Sequence, residues 1–146
     1  MASMEELYNH IIDIANKNNL TVTNLQIQKV MFFSLGMHIR LNNGVDDLAE
    51  RTYNIPFEKW RYGPVVESIY YQLNYFKDKP IKLDGTYSHE YSEWDNIIVQ
   101  LLNINVFELV RLSHKFPSWA NYEDDINNRR FVESYTIDEI AEDFMQ

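Results

Sequence analysis

The segment from Leu25 to Leu41 constrains this chain more than any other. Leu25, Ile27, Val30, Met31, Phe32, Phe33, Leu35, Met37, Ile39 and Leu41 place apolar groups around nearly the whole circumference of a helix. A helix with one apolar stripe lies on a surface, whereas a helix apolar on every side must be enclosed by neighbours. The spacing therefore predicts a central helix. Thr23 opens it, with Gln26 at capping-box distance, and Asn42-Asn43-Gly44 is a plausible stop.

The rest of the chain supplies the wrapping. A first helix is predicted over about Met4 to Asn16, with Ser3 and Glu6 at capping-box spacing and a stripe of Leu7, Tyr8, Ile11, Ile12 and Ala15. A third is expected to start at Pro64, since proline suits a first helical turn, with Val66, Ile69, Tyr70, Leu73 and Phe76 inward. A fourth carries Trp94, Ile97, Ile98, Leu101 and Leu102. Asn105 caps a fifth, with Val106, Leu109, Val110 and Ser113 inward, and Pro117 stops it. Thr136 and Glu139 cap a last helix with Ile137, Ile140, Ala141 and Phe144 on one face. Between them, Val45 to Arg51 reads as a helical turn and Tyr53 to Trp60 as extended chain interrupted by Pro56. Asp78 to Tyr91 reads as a loop turning at Asp84-Gly85, and Phe131 to Tyr135 alternates like a short strand.

The expected fold is mainly α: a compact single-domain bundle of about six helices around the central apolar helix, with at most a small β element. The 4 Gly and 4 Pro are too few for a turn-rich β-sandwich or for disorder, and no Pro/Gly/Ser-rich linker divides residues 1–146. Met1 to Ser3 is expected to be a cloning remnant or a flexible N-terminus ahead of a natural start at Met4.

Charge narrows the function classes. A formal net charge of -9 repels nucleic-acid backbones, so direct binding of DNA or RNA is not expected. The acids concentrate late, with Glu123, Asp124, Asp125, Glu133, Asp138, Glu139, Glu142 and Asp143 facing only Arg129 and Arg130 between residues 123 and 146. This is either a solvated helix face or an acidic surface matched to a basic partner. With no cysteine there is no disulfide, zinc-thiolate site or thiol nucleophile. The apolar runs are too short to span a bilayer and the start lacks a basic-then-apolar export signal, so a cytoplasmic protein without membrane contact is expected.

Catalytic signals are weak. His10, His38, His89 and His114 form no pair at metal-ligand spacing on a helix, and the glycines Gly36, Gly44, Gly63 and Gly85 are isolated rather than gathered in a phosphate loop. His38 reads as a core histidine bonded to a backbone carbonyl, and His114 as a cation at a helix end. A hydrolase using His114 is the remaining enzymatic reading. No catalytic residue, metal or cofactor is assigned.

Aromatics are the richer resource. Trp60, Arg61 and Tyr62 precede Gly63-Pro64, and Tyr70, Tyr71, Tyr75 and Phe76 follow on the next predicted helix. Helical spacing turns Tyr71 and Tyr75 outward. Exposed aromatics beside an arginine are the residue types that anchor protein interfaces. Trp60, Arg61, Tyr62, Tyr71, Tyr75 and Trp119 are therefore the candidate partner-binding residues. Trp60 and Trp119 are equally read as loop braces, since a buried indole N–H needs an acceptor. Glu123, Asp124, Asp125, Asp138, Glu139, Glu142 and Asp143 are the candidate acidic surface.

Three segments, in order, carry a family resemblance. They are Leu25-Gln26-Ile27-Gln28-Lys29-Val30-Met31-Phe32-Phe33, then Trp60-Arg61-Tyr62-Gly63-Pro64-Val65-Val66, then Leu112-Ser113-His114 followed by Pro117 and Trp119. Together they resemble the Panacea domain, the SocA-like or GepA-like family of bacterial and phage mobile elements, across residues 20 to 144. The first segment departs from the family pattern around Lys29, at Gln28 and Val30, and an attached DNA-binding domain is not expected. The resemblance implies a helical antitoxin that neutralises an unrelated protein toxin by direct binding, in one form as an adaptor to a protease. It brings no catalytic residues. The alternative is a phage counter-defence protein that blocks a host nuclease, such as a CRISPR effector, with acids imitating phosphates.

Overall fold

The computed structural model describes residues 1–146. Its helices are α1 (Met4–Lys17), α2 (Asn24–Leu41), α3 (Asp47–Thr52), α4 (Glu67–Leu73), α5 (Asp95–Leu102), α6 (Val106–Lys115), α7 (Pro117–Ala120), α8 (Glu123–Asn127) and α9 (Ile137–Met145). Between α3 and α4, β1 (Glu58–Trp60) and β2 (Gly63–Val65) form a two-stranded antiparallel hairpin. The six helices legible from periodicity are α1, α2, α4, α5, α6 and α9. The short α3 falls on the helical turn expected over Val45 to Arg51, and the two additions, α7 and α8, are too short to show a period.

Helix α2 is the axis. Every residue from Ile27 to Gly36 is buried, and α1, α5, α6, α9 and the hairpin all pack against it. Phe32 alone lies edge-on or tilted against Phe33, Phe57, Phe116, Tyr135 and Phe144. A single connected cluster of 30 buried apolar residues fills the interior, so the wrapping produces one core. No single helix is long and apolar enough to cross a membrane.

The capping chemistry falls where the sequence places it. Thr23 with Gln26 and Thr136 with Glu139 form complete capping boxes. Ser3 accepts from the Glu6 backbone N–H, but its own N–H donates to the Tyr91 hydroxyl instead of to Glu6. Ser3 thus takes part in the α1 cap.

Two predicted features differ. Pro64 does not open a helix: Gly63-Pro64-Val65 is β2, with Lys59 opposite Pro64, and α4 begins at Glu67. The strand persists because side chains from α2 take its polar groups. Lys29 donates to the Pro64 carbonyl at 2.9 Å, and the Val66 N–H donates to Gln28 Oε1 at 2.8 Å. Phe131 to Tyr135 is not a strand; a single main-chain bond, from the Tyr135 N–H to the Phe57 carbonyl at 2.9 Å, docks it beside the hairpin. Pro117 ends α6 and also opens α7, which it begins at the first helical position.

The seat of α9 depends on Gly36. A β-carbon there would come within 2.2 Å of the Phe144 ring, far inside contact distance. Gly36→Ala is expected to destabilise the fold by about 1–3 kcal/mol through overpacking, and Phe144→Leu in the same chain to restore part of it. Chemical denaturation of the single and double variants checks this, and equal stability of Gly36→Ala and the parent would contradict it.

Candidate functional site

The three segments singled out in the sequence meet at one place. Lys29 reaches from α2, Gly63 and Pro64 come from the hairpin, and Ser113, His114 and Trp119 come from α6 and α7. Gly63 has a φ of 100°, in the region that favours glycine, and a β-carbon there would meet Ser113 Oγ at 2.6 Å and Lys29 Cε at 3.1 Å. The glycine thus answers both a backbone angle and a close approach. Ser113 Oγ donates to the Val110 carbonyl at 2.7 Å, so it bends back on its own helix.

Lys29 is the centre of this knot. It is fully buried, its only hydrogen bond goes to Pro64, and no carboxylate pairs with it. Burial lowers its ammonium pKa from 10.5 to about 7, because enclosure in the core disfavours the charged form. The Trp119 indole N–H donates to the Trp60 carbonyl at 2.9 Å, and His114 stacks on Trp119 with ring centroids 3.7 Å apart. Trp119 is only 2% exposed. It braces the hairpin from beneath and leaves the set of candidate contact residues, because its face and its N–H are both occupied.

His114 departs from its expected role. Burial lowers its pKa, with nearby Lys29 acting in the same direction against the Arg61 backbone, and Nε2 is enclosed with no partner. It is a neutral stacking ring and not a cation at a helix end. His38 also differs: it faces the Asp46 carboxylate at 2.9 Å and accepts from the Trp94 indole at 3.2 Å, with no backbone carbonyl involved. His10 has the same pattern, facing Asp95 at 2.7 Å and accepting from the Ser88 N–H at 2.9 Å. In both histidines each ring nitrogen has a partner within the fold.

Above the knot, the hairpin turn presents Arg61 and Tyr62 to solvent, while Trp60 is half-buried with its ring edge-on to Tyr70 at 5.1 Å. Tyr71 and Tyr75 are exposed, as their spacing predicts, on the outer side of α4 and in the turn that follows it. Tyr62 and Tyr70 line a groove of about 630 Å³ whose other walls include Leu25, Lys77, Val106 and Phe107. Phe107 is 63% exposed and was missed in sequence. Its position just inside the Asn105 cap, off the inward stripe of α6, is the signal that marks it.

The acidic set divides. Glu123, Asp124, Asp138 and Glu142 are exposed and free of ion pairs. Asp125 pairs with Arg130 at 3.2 Å, and Glu139 pairs with Lys59 at 3.0 Å while capping α9. Asp143 is a correction: it is buried, accepts from the Ser118 hydroxyl, and burial raises its carboxyl pKa. It lies on the inner side of α9, one residue before Phe144, and is not part of an acidic surface.

Searches against protein-family models, curated proteins and solved structures find no match to this chain.

The buried ammonium predicts a pH dependence. The unfolded chain keeps this proton up to about pH 10.5, whereas the folded chain releases it above about 7. Between those values the unfolded state binds more protons, so this group makes the fold more stable as pH rises, by up to about 1.4 kcal/mol per unit, and the gain is absent below the folded value. Lys29→Met is expected to lose that slope. Urea unfolding of both proteins from about pH 7 to 9 measures it, and parallel curves would show that Lys29 does not titrate in the fold.

Proposed function

We propose that this chain is a non-enzymatic protein-binding inhibitor, an antitoxin that neutralises a protein toxin by direct contact. The observation that carries the reading is the exposed aromatic groove built from Tyr62, Tyr70 and Phe107 over a turn that is fixed from behind. Large exposed aromatics on a rigid support supply contact area with little ordering entropy left to lose. The resemblance of the three converging segments to the Panacea domain gives the partner class, and delivery of the toxin to a protease is a compatible extension of the same binding.

The alternative, a counter-defence inhibitor that imitates nucleic acid against a nuclease, draws on four free acids on α8 and α9: Glu123, Asp124, Asp138 and Glu142. A phosphate-like array needs a denser row, and Asp125, Glu139 and Asp143 are already engaged within the fold. The aromatic groove is the better-supported contact surface.

Co-expression with the product of the neighbouring gene tests the proposal. Growth arrest by that product alone, relieved by this chain, together with co-purification of the two, is the expected result. Tyr62→Ala and Phe107→Ala together are expected to weaken the complex by about 2 kcal/mol or more, with thermal unfolding unchanged. A neighbouring product that is harmless, or relief that survives this double variant, would count against the groove-based reading.

A further inference from the structure

Six arginines occur in the chain, and four of them are engaged within the fold. Arg40 donates to the Phe144 and Gln146 carbonyls, Arg51 pairs with Asp47 and Glu90, Arg111 with Glu108, and Arg130 with Asp125. Only Arg61 and Arg129 have side chains with no hydrogen bond and no ion pair. In a chain of 22 acids and 13 bases, two unpaired guanidiniums are unexpected on charge balance alone. Both line the same cleft, of about 460 Å³, together with Trp60, Ile126, Arg130 and Val132. Arg61 and Tyr62 are neighbours in the turn, yet Tyr62 lines the aromatic groove and Arg61 lines this second concavity.

The local structure explains the gathering. Helix α8 ends in a left-handed residue, Arg129 with a φ of 58°, and the Arg130 N–H folds back onto the Asp125 carbonyl at 2.8 Å. That reversal brings both arginines beside β1. The apolar part of the lining comes from Trp60, Ile126 and Val132. Glu58 also lines the cleft, tied at 2.7 Å to the Ser134 hydroxyl.

These features select among anions. A guanidinium accepts a carboxylate or a phosphate in a forked pair. A continuous polyanion such as a nucleic-acid strand would meet the Glu58 carboxylate inside the cleft and a net charge of -9 around it. A short peptide whose few carboxylates are separated by apolar side chains brings less negative charge into that field and uses Trp60 and Val132 as well as the arginines. We propose that this cleft receives a short acidic segment of the protein partner, two of whose carboxylates pair with Arg61 and Arg129 while an apolar side chain between them lies against Trp60. The inference rests on the protein-binding reading above and adds the chemistry of the partner's contact segment.

The test uses the whole chain and a fluorescein-labelled peptide of alternating glutamate and leucine, with binding read by fluorescence anisotropy. The matching glutamine–leucine peptide and a labelled oligothymidylate serve as competing chemistries. Saturable binding of the glutamate peptide is expected, weakened by added salt and roughly tenfold weaker in Arg61→Gln/Arg129→Gln. Neither side chain makes a bond in the fold, so the thermal midpoint is expected to stay where it is. Each single variant is expected to lose part of the affinity, which keeps the test open should the double variant unfold. No binding, equal binding of the glutamine peptide, affinity untouched by the substitutions, or preference for oligothymidylate would overturn the proposal. So would self-association of the free protein that the double variant abolishes, since the cleft would then hold a second copy. Failure here with toxin neutralisation intact removes only the cleft, and failed neutralisation with peptide binding intact removes only the antitoxin role.

Discussion

One buried hydrogen bond, from Lys29 to the Pro64 carbonyl, joins the axis of the molecule to its most exposed turn. Helix α2 is held by the whole core, and the hairpin has only two three-residue strands, too few to be stable alone. The lysine gives the hairpin the rigidity of the axis, because its stem packs inside while its head donates to the Pro64 carbonyl. Gln28, one residue earlier, takes the Val66 N–H, so adjacent side chains of one helix hold both polar groups of the departing strand. Trp119 closes the arrangement from α7 through the Trp60 carbonyl. Burying an ammonium without a counter-ion is costly, and that cost is concentrated under the turn whose placement the proposed function requires.

Much of the architecture was legible because it follows from period and capping. The apolar circumference of α2 demanded enclosure, and the capping pairs at Thr23 and Thr136 fixed two helix starts. What escaped was the part decided by distant residues. Gly63-Pro64 has the chemistry of a helix entry, but its carbonyl and the following N–H are claimed by Lys29 and Gln28, more than thirty positions away, and tertiary bonds override local preference. Phe131 to Tyr135 alternates like a strand, yet it makes one main-chain bond beside the hairpin, from the Tyr135 N–H to the Phe57 carbonyl, and no ladder. The convergence of Lys29, Gly63 and Trp119 was visible only as an ordered set of segments. Their meeting in space is a product of the fold.

The candidate surface was half legible. Tyr62, Tyr71 and Tyr75 are exposed as helical spacing and turn position indicate. Trp119 was ambiguous because an indole suits a brace and an anchor equally, and only the position of its acceptor decides. Counting acids misjudged the late segment for a similar reason. Asp143 faces the interior on α9, and Glu139 is committed twice, to Lys59 and to its own cap. The same count hid the basic cleft, since Arg129 looks like a minor counterweight in an acidic stretch until its lack of any partner is seen beside that of Arg61.

The turn itself separates two tasks. Lys29 and Trp119 hold the turn through the backbone carbonyls of Pro64 and Trp60, while the side chains of Arg61 and Tyr62 make no hydrogen bond to the rest of the molecule. Substitutions at those two positions therefore carry little folding penalty. Were this tip the contact surface proposed above, exchanging that pair of residues would redirect binding while the supporting architecture stayed untouched.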